Sequence, residues 1–239
     1  MFFFNLFRRS EKSGQFISSD MHAHVLPGID DGAPDVQTSV DLILGLERLG
    51  VKKITATPHI YKELYPNNRE TIEMALMSAR QALSEIGCSV VLDAAAEYML
   101  DDHFEDILKH GDLLTIDSDK VLVEMLAFAP PPQLDNYLFI LQTKGYTPII
   151  AHPERYAFMR NNKKQYHDLH DRGCILQVNL LSLTGHYGHE IKETAHYLIK
   201  NKLVSLLGTD LHHQKHLDLL TKYSTDKNFL KWISMVETQ

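Results

Sequence analysis

The stretch DMHAHVLPGIDDG, residues 20–32, decides how the rest of the chain is read. It carries the end of a β-like apolar run (residues 16–22) into a Pro27-Gly28 turn and an Asp30-Asp31-Gly32 run. His22 and His24 stand two residues apart at the strand end, so period-two geometry points both imidazoles to the same face. An H-x-H pair could arise by chance on a solvated strand, because the chain has 14 histidines. The turn and the acidic run weigh against chance, since they set further carboxylates on a loop above that strand.

The same arrangement recurs along the chain. ATPH (residues 56–59) ends the run 53–57 at Pro58 and puts His59 in a loop. AAAEYM (94–99) and KVLVEM (120–125) place Glu97 and Glu124 at the ends of the runs 89–97 and 120–124. A carboxylate closing a buried apolar strand requires a cation or hydrogen-bond donors. PIIAHPERY (148–156) sets His152 at the end of the run 147–152, with Arg155 three residues on, and LLGTDLHH (206–213) follows the run 204–208 with Asp210 and His212, again two apart. A loop histidine is usually just solvated, and an arginine often pairs with a surface carboxylate. Together, however, nine residues of metal-ligand type follow apolar runs: His22, His24, Asp31, His59, Glu97, Glu124, His152, Asp210 and His212. Imidazoles and carboxylates are natural ligands of divalent transition metals, and nine suit two or three ions rather than one tetrahedral site.

With residues 175–179, these runs make seven strand candidates. Helical periodicity fills gaps between them at 35–49, 67–86, 133–144, 163–172 and 190–201. Gly50, Gly87, Gly145 and Gly173 act as stops, and Asn67 or Asn68 caps the second helix. Strand–helix alternation implies parallel pairing. An open sheet would spread the ligand-type residues along an edge, whereas a barrel gathers the C-terminal ends of its strands on one face, where barrel enzymes keep their sites. The expectation is an α/β barrel of seven strands. It forms one domain over residues 16–239 behind an N-terminal extension, residues 1–15.

Bulk properties narrow the class. A chain of 239 residues with 44 % hydrophobic and 23 % charged residues is an ordinary globular domain. Its net charge of −7 argues against nucleic acid as a partner. Two cysteines, Cys88 and Cys174, give no disulfide framework, so a reducing, cytoplasmic setting is expected. No apolar run is long enough to span a bilayer. MFFFNLFRR (residues 1–9) is too short in its apolar part for a signal peptide, and is expected to pack on the domain or to make peripheral membrane or partner contact. A cysteine-dependent phosphatase loop, C-x5-R, is ruled out because the sixth residues past the cysteines are Ala94 and Leu180. His167, His170 and His196 fall on helical segments and are expected to be solvated, and His213 and His216 to reach no further than the rim of a site.

The phrases DMHAHVLPGIDDG, ATPH, IIAHPERY and the late D-x-H together resemble the polymerase and histidinol phosphatase (PHP) superfamily of metal-dependent phosphoesterases. The similarity is to its bacterial protein-tyrosine phosphatase branch, linked to capsular and exopolysaccharide synthesis, and covers roughly residues 19–213. The resemblance implies a distorted (β/α)7 barrel and three ions, commonly manganese, with iron or zinc as alternatives. One ion would take His22, His24, Glu97 and Asp210, a second Glu97, Glu124 and His152, and a third Asp31, His59 and His212. It also implies a phosphotyrosine protein as substrate, such as a tyrosine kinase of polysaccharide synthesis. Members of this branch often carry an arginine just after D-x-H, but here Lys215 is the only nearby cation, a point charge in place of a fork.

The activity expected is hydrolysis of a phosphotyrosine monoester by a metal-bridging hydroxide, with Arg155 neutralising the phosphoryl oxygens and Lys215 as a second contact. A phenolate leaves easily, so an acid is dispensable; where one is needed, His59, His212 or a metal-bound water could supply the proton. Two other classes compete. One is a small-metabolite phosphatase of the histidinol-phosphate type or an amidohydrolase-like metallohydrolase. The other is a non-catalytic, metal-stabilised barrel used for binding, though a degenerate enzyme should have lost ligands and none of the nine is missing.

Overall fold

The structure is a computed structural model that describes residues 16–111 and 113–238. The extension expected over residues 1–15, with its aromatic segment, lies outside the described residues. Among the described residues there are nine strands: β1 (Ser19–Ala23), β2 (Lys53–Ala56), β3 (His59–Ile60), β4 (Val91–Ala94), β5 (Glu97–Met99), β6 (Lys120–Glu124), β7 (Thr147–Ala151), β8 (Ile175–Asn179) and β9 (Val204–Gly208). The helices are α1 (Val36–Arg48), α2 (Arg69–Glu85), α3 (Asp102–His110), α4 (Leu134–Thr143), α5 (Ala157–Arg160), α6 (Lys164–Asp171), α7 (His189–Lys200), α8 (Gln214–Tyr223) and α9 (Lys227–Glu237). Among the described residues, no helix is long and apolar enough to cross a membrane.

Every strand ladder is parallel, in the orders β1-β2-β4 and β3-β5-β6-β7-β8-β9. The second expected strand (53–57) is followed past Pro58 by a short strand that was not expected, β3, and the third (89–97) is broken in two. Pro58 has no N–H to extend the second, and the third breaks at Ala95-Ala96. Ala95 N–H donates to Ala56 O (2.8 Å) and Glu97 N–H to Pro58 O (3.0 Å), so the first sheet hands over to the second across hydrogen-bonded backbone. The seam between last and first strand is an isolated parallel bridge, Ala23 to Leu211, rather than a ladder. Asp210 N–H donates to His22 O (2.8 Å) and His24 N–H to Leu211 O (2.9 Å) across it. Seven strand positions thus run round in chain order with the last beside the first, which is the barrel arrangement.

Local chemistry explains the helix starts. Asp35 caps α1 by accepting from Thr38 N–H at 2.7 Å. Asn68 caps α2 in a reciprocal box with Thr71, while Asn67 turns away and donates to the carbonyls of Ile29 (2.7 Å) and His59 (2.9 Å), tying two loops of the upper face together. Helices α3, α5, α8 and α9 lie outside the segments that periodicity predicts, although Asp101 and Asp226 cap α3 and α9 in the ordinary way. His196 is not solvated as expected: it stacks on Trp232 at 4.0 Å between α7 and α9.

Most buried apolar side chains form one cluster between strands and helices. A second, separate cluster holds Met21, Ala95, Ile116, Leu122, Ile149 and Ala151, with Ile175 and Leu206 packed against it. Leu122 precedes Glu124 by two residues and Ile175 precedes Gln177 by two, so strand alternation puts this plug on the same side of the sheet as the polar end residues. The barrel interior is therefore apolar below and polar above.

Gly32 shows how tightly the first loop is folded. Gly28 N–H donates to Ala33 O (2.8 Å) and Ala33 N–H to His24 O (3.1 Å), and a Cβ at Gly32 would lie 1.9 Å from His24 O. Backbone cannot yield there as a side chain could. Gly32→Ala is expected to destabilise the metal-free protein by about 1–3 kcal/mol, the usual cost of forced overpacking. Denaturant unfolding measures it, and an unchanged midpoint would mean that the loop is not held against His24.

Candidate metal centre

All nine ligand-type residues meet at the C-terminal ends of the strands. Their donor atoms fall into four overlapping groups, each with its atoms within 4.8 Å of one another. One joins His22, His24 and Asp210, a second His22, Glu97 and His152, a third His59, Glu97 and Glu124, and a fourth His24, Asp31, His59 and His212. Each strand position except β8 contributes. The grouping differs in detail from the partition the resemblance implied: Glu124 sits with His59 and not with His152, its Oε1 lying 2.9 Å from His59 Nδ1.

Glu97 stands at the centre. Its Oε2 is buried, accepts no hydrogen bond, and lies 3.2 Å from His22 Nε2, 3.3 Å from His24 Nε2 and 3.2 Å from His59 Nδ1. Its Oε1 lies 3.1 Å from His152 Nε2. Asp210 Oδ1 repeats the pattern at 3.4 Å from both His22 Nε2 and His24 Nε2, which are themselves 3.3 Å apart. Two nitrogens so close, facing the same two carboxylate oxygens, suit a cation between them, and an orphaned carboxylate oxygen among three imidazoles suits a bridging ligand. The donor set, nitrogen and oxygen without sulfur, fits manganese, iron or zinc.

The electrostatics point the same way. Burial presses the His22 and His24 imidazoliums down, but the neighbouring carboxylates outweigh it and both are raised above the ordinary histidine value. Burial and His24 press His59 down too, yet Asp31, Glu124 and Glu97 carry it up to about 10. Burial alone would raise Glu97 and Asp210, but the surrounding histidines hold both well below the carboxylate range. The cluster therefore demands positive charge, from protons or from metal ions.

Two of these residues sit in strained backbone. His152 has φ 34° and Asp210 φ 51°, both left-handed in non-glycine residues. Such strain persists where surroundings over-determine it, typically at functional sites. Arg155, in the turn after His152, donates from Nη1 to Asp210 Oδ2 at 2.9 Å and lies over the Tyr187 ring at 5.0 Å. A cavity of about 320 Å³ opens above, lined by Glu124, Arg155, Tyr187, His212 and others. His213 and His216 line it as well, His213 exposed and His216 buried rather than at the expected rim. Lys215 is exposed in the first turn of α8 and is not among the lining residues.

Several residues of the site had escaped the sequence reading. Asp30 Oδ2 lies 2.8 Å from His24 Nδ1, and Gln177 Oε1 2.8 Å from His22 Nδ1. Asn179, Asp20 and Glu154 are likewise fully buried. Asp20 accepts from both Thr209 N–H and its hydroxyl at the seam, and Glu154 accepts from Asn179 N–H (3.0 Å) and the Ser182 hydroxyl (2.6 Å). The available signal was the parallel sheet itself: polar residues inside its strands have no solvent-facing side to occupy.

A parallel seven-position barrel with imidazoles and carboxylates massed at its C-terminal end defines a PHP-type metallohydrolase fold. The chain belongs to the CpsB/CapC family of capsular polysaccharide synthesis, whose model matches residues 18–219. It is 29 % identical over 214 residues to the tyrosine-protein phosphatase YwqE of Bacillus subtilis, covering 88 % of this chain and 84 % of that one. It is 30 % identical over 200 residues to the tyrosine-protein phosphatase CpsB of Streptococcus pneumoniae, covering 81 % and 82 %. Among solved structures, it is similar to one from the work on YwqE and CpsB, described as unique metal-dependent tyrosine phosphatases. That match has a TM-score of 0.78 at 26 % identity and covers 92 % of this chain and 95 % of that one. A histidinol phosphate phosphatase from Lactococcus lactis shares the fold, with a TM-score of 0.55 at 14 % identity over 92 % and 93 % of the two chains.

Because the surrounding carboxylates raise His24 well above the ordinary histidine value and His59 to about 10 without an ion, metal must displace protons on binding. Calorimetry of metal-stripped protein at pH 7, in buffers of different ionisation enthalpy, should show net proton release. Affinity should fall as pH falls, since protons then compete better for His59 and its neighbours. A binding enthalpy that is independent of buffer would contradict this picture of the centre.

Proposed function

We propose that this chain is a metal-dependent protein-tyrosine phosphatase with manganese as its native metal. The nine residues act as ligands of two or three ions, and the substrate is a phosphotyrosine protein of polysaccharide synthesis, a tyrosine kinase with a phosphorylated tail, in the cytoplasm. The observation that carries the reading is the placement of the Arg155 fork. It faces the cavity from the same carboxylate, Asp210, that faces His22 and His24. A phosphoryl group entering the cavity meets a guanidinium and the proposed metal face together. The activities of the two tyrosine phosphatases above and the family's tie to capsular polysaccharide synthesis support the substrate class.

Bound divalent ions would supply Lewis acidity and a water of lowered pKa. The protein's own residues do the rest. Arg155, fixed by Asp210 and Tyr187, presents two donors to the equatorial phosphoryl oxygens. Lys215, outside the cavity, adds only diffuse positive charge, and the clamp is Arg155. His59 and His212 are the most exposed of the five ligand-type imidazoles, 14 % against 6 % or less for the others, so a proton for the leaving phenolate comes from their side of the site. A phenolate leaves more readily than an alkoxide, and the demand on that proton is small.

The test is the initial rate on a phosphotyrosine peptide, with metal-stripped protein compared with protein reloaded with manganese, and histidinol phosphate as the small-substrate control. The expected result is a rate restored by metal, preferring the peptide and indifferent to thiol alkylation. Arg155→Ala should lower kcat/KM by about 10²–10³, the range for loss of one charge-stabilising donor. No peptide hydrolysis with manganese, iron or zinc would overturn the phosphatase reading.

A further inference from the structure

The strand β8 supplies none of the nine ligand-type residues, yet it runs between two that bracket the centre. It carries ILQVN, with Gln177 and Asn179 two apart, both fully buried. Gln177 Oε1 lies 2.8 Å from His22 Nδ1 and accepts from the His152 backbone N–H at 3.3 Å. Gln177 Nε2 donates to Asn179 Oδ1 at 3.0 Å, and Asn179 Nδ2 donates to Asp210 Oδ2.

One backbone group fixes the direction of this whole chain. The His152 N–H can only donate, so the Gln177 atom beside it is the oxygen. His22 Nδ1 must then carry hydrogen to bond that oxygen, so Nε2 is the ring atom turned toward Glu97 and Asp210, its lone pair offered to an ion once a proton is displaced. The Gln177 amide nitrogen is left to donate to Asn179, whose own nitrogen is left for Asp210 Oδ2. Asp210 Oδ1 stays open toward the two imidazoles. No amide in the series can be turned over without setting donor against donor. Gly208 makes room for it: a Cβ there would lie 2.7 Å from His22 Cβ and 2.9 Å from Gln177 Nε2.

We propose that Gln177 and Asn179 are positioning residues for the metal centre: a directional amide relay that selects the His22 tautomer, holds the strained His152 backbone and leaves one Asp210 oxygen free for the ion. Residues that orient a ligand from behind in this way commonly change metal affinity by about 10–100-fold. The inference rests on the metal centre proposed above.

The test is metal affinity rather than rate, measured for zinc and manganese by chelator competition on three proteins. Gln177→Met keeps the volume and removes both hydrogen-bonding ends. Gln177→Glu keeps an acceptor for His22 Nδ1 and His152 N–H but loses the donor to Asn179. The expected order is wild type tightest, Gln177→Glu next and Gln177→Met weakest, the last by about 10–100-fold. The unfolding midpoints of the metal-free proteins should not follow that order. Gln177→Met binding as tightly as wild type, or Gln177→Glu binding no better than Gln177→Met, would overturn the relay. Affinity that simply tracks metal-free stability would reduce Gln177 to a packing residue and overturn it too. If Gln177→Met does not fold, Asn179→Leu cuts the same relay at its other end and is judged by the same affinity loss. Wild type that binds none of manganese, iron or zinc would instead remove the metal reading itself.

Discussion

The structure depends on one buried carboxylate. Glu97 sits at zero exposure at the start of β5, with one oxygen bare of hydrogen-bond donors and four imidazoles around it. An unpaired charge in such a place costs several kcal/mol, so the surroundings must provide positive charge. They do so from β1, β3 and β7 at once, which no open-edged arrangement of the same strands would allow. The barrel, the breaks after β2 and β4 and the seam between β9 and β1 can all be understood as ways of bringing donors from distant parts of the chain within 4.8 Å of one another.

Rigidity follows from the same need. His152 and Asp210 hold left-handed backbone that costs roughly 1–3 kcal/mol each, and both are pinned through their own N–H groups, to Gln177 and to His22 O. Arg155 is pinned at Asp210 and against Tyr187. A substrate phosphoryl group would thus meet groups already in place, which is how electrostatic stabilisation becomes effective. The apolar plug beneath, around Leu122 and Ile149, packs under the site as its floor.

Much of this was legible before any coordinates. Ligand-type residues at strand ends gave the barrel, and all nine converge. What failed was finer. Pro58 was recognised as a strand end, but the strand resumes one residue later because Glu97 N–H bonds across to Pro58 O. His196 read as a solvated helical residue because nothing local announces Trp232, which reaches it from the last helix. Gln177 and Asn179 escaped because ILQVN alternates apolar and polar residues as a half-exposed strand does. Only the fold reveals that the polar face points inward. Asp30 was overshadowed by Asp31: the two are neighbours in sequence, and only geometry separates the one that orients His24 from the one that faces His59 and His212.

Glu97 is the carboxylate proposed to be shared between ions. The most direct measurement is an anomalous difference map from crystals loaded with manganese. At least two peaks about 3.5–4 Å apart are expected, with the Glu97 carboxylate touching both and His22, His24, His59 and His152 distributed between them. A single peak, or ions that avoid Glu97, would contradict it.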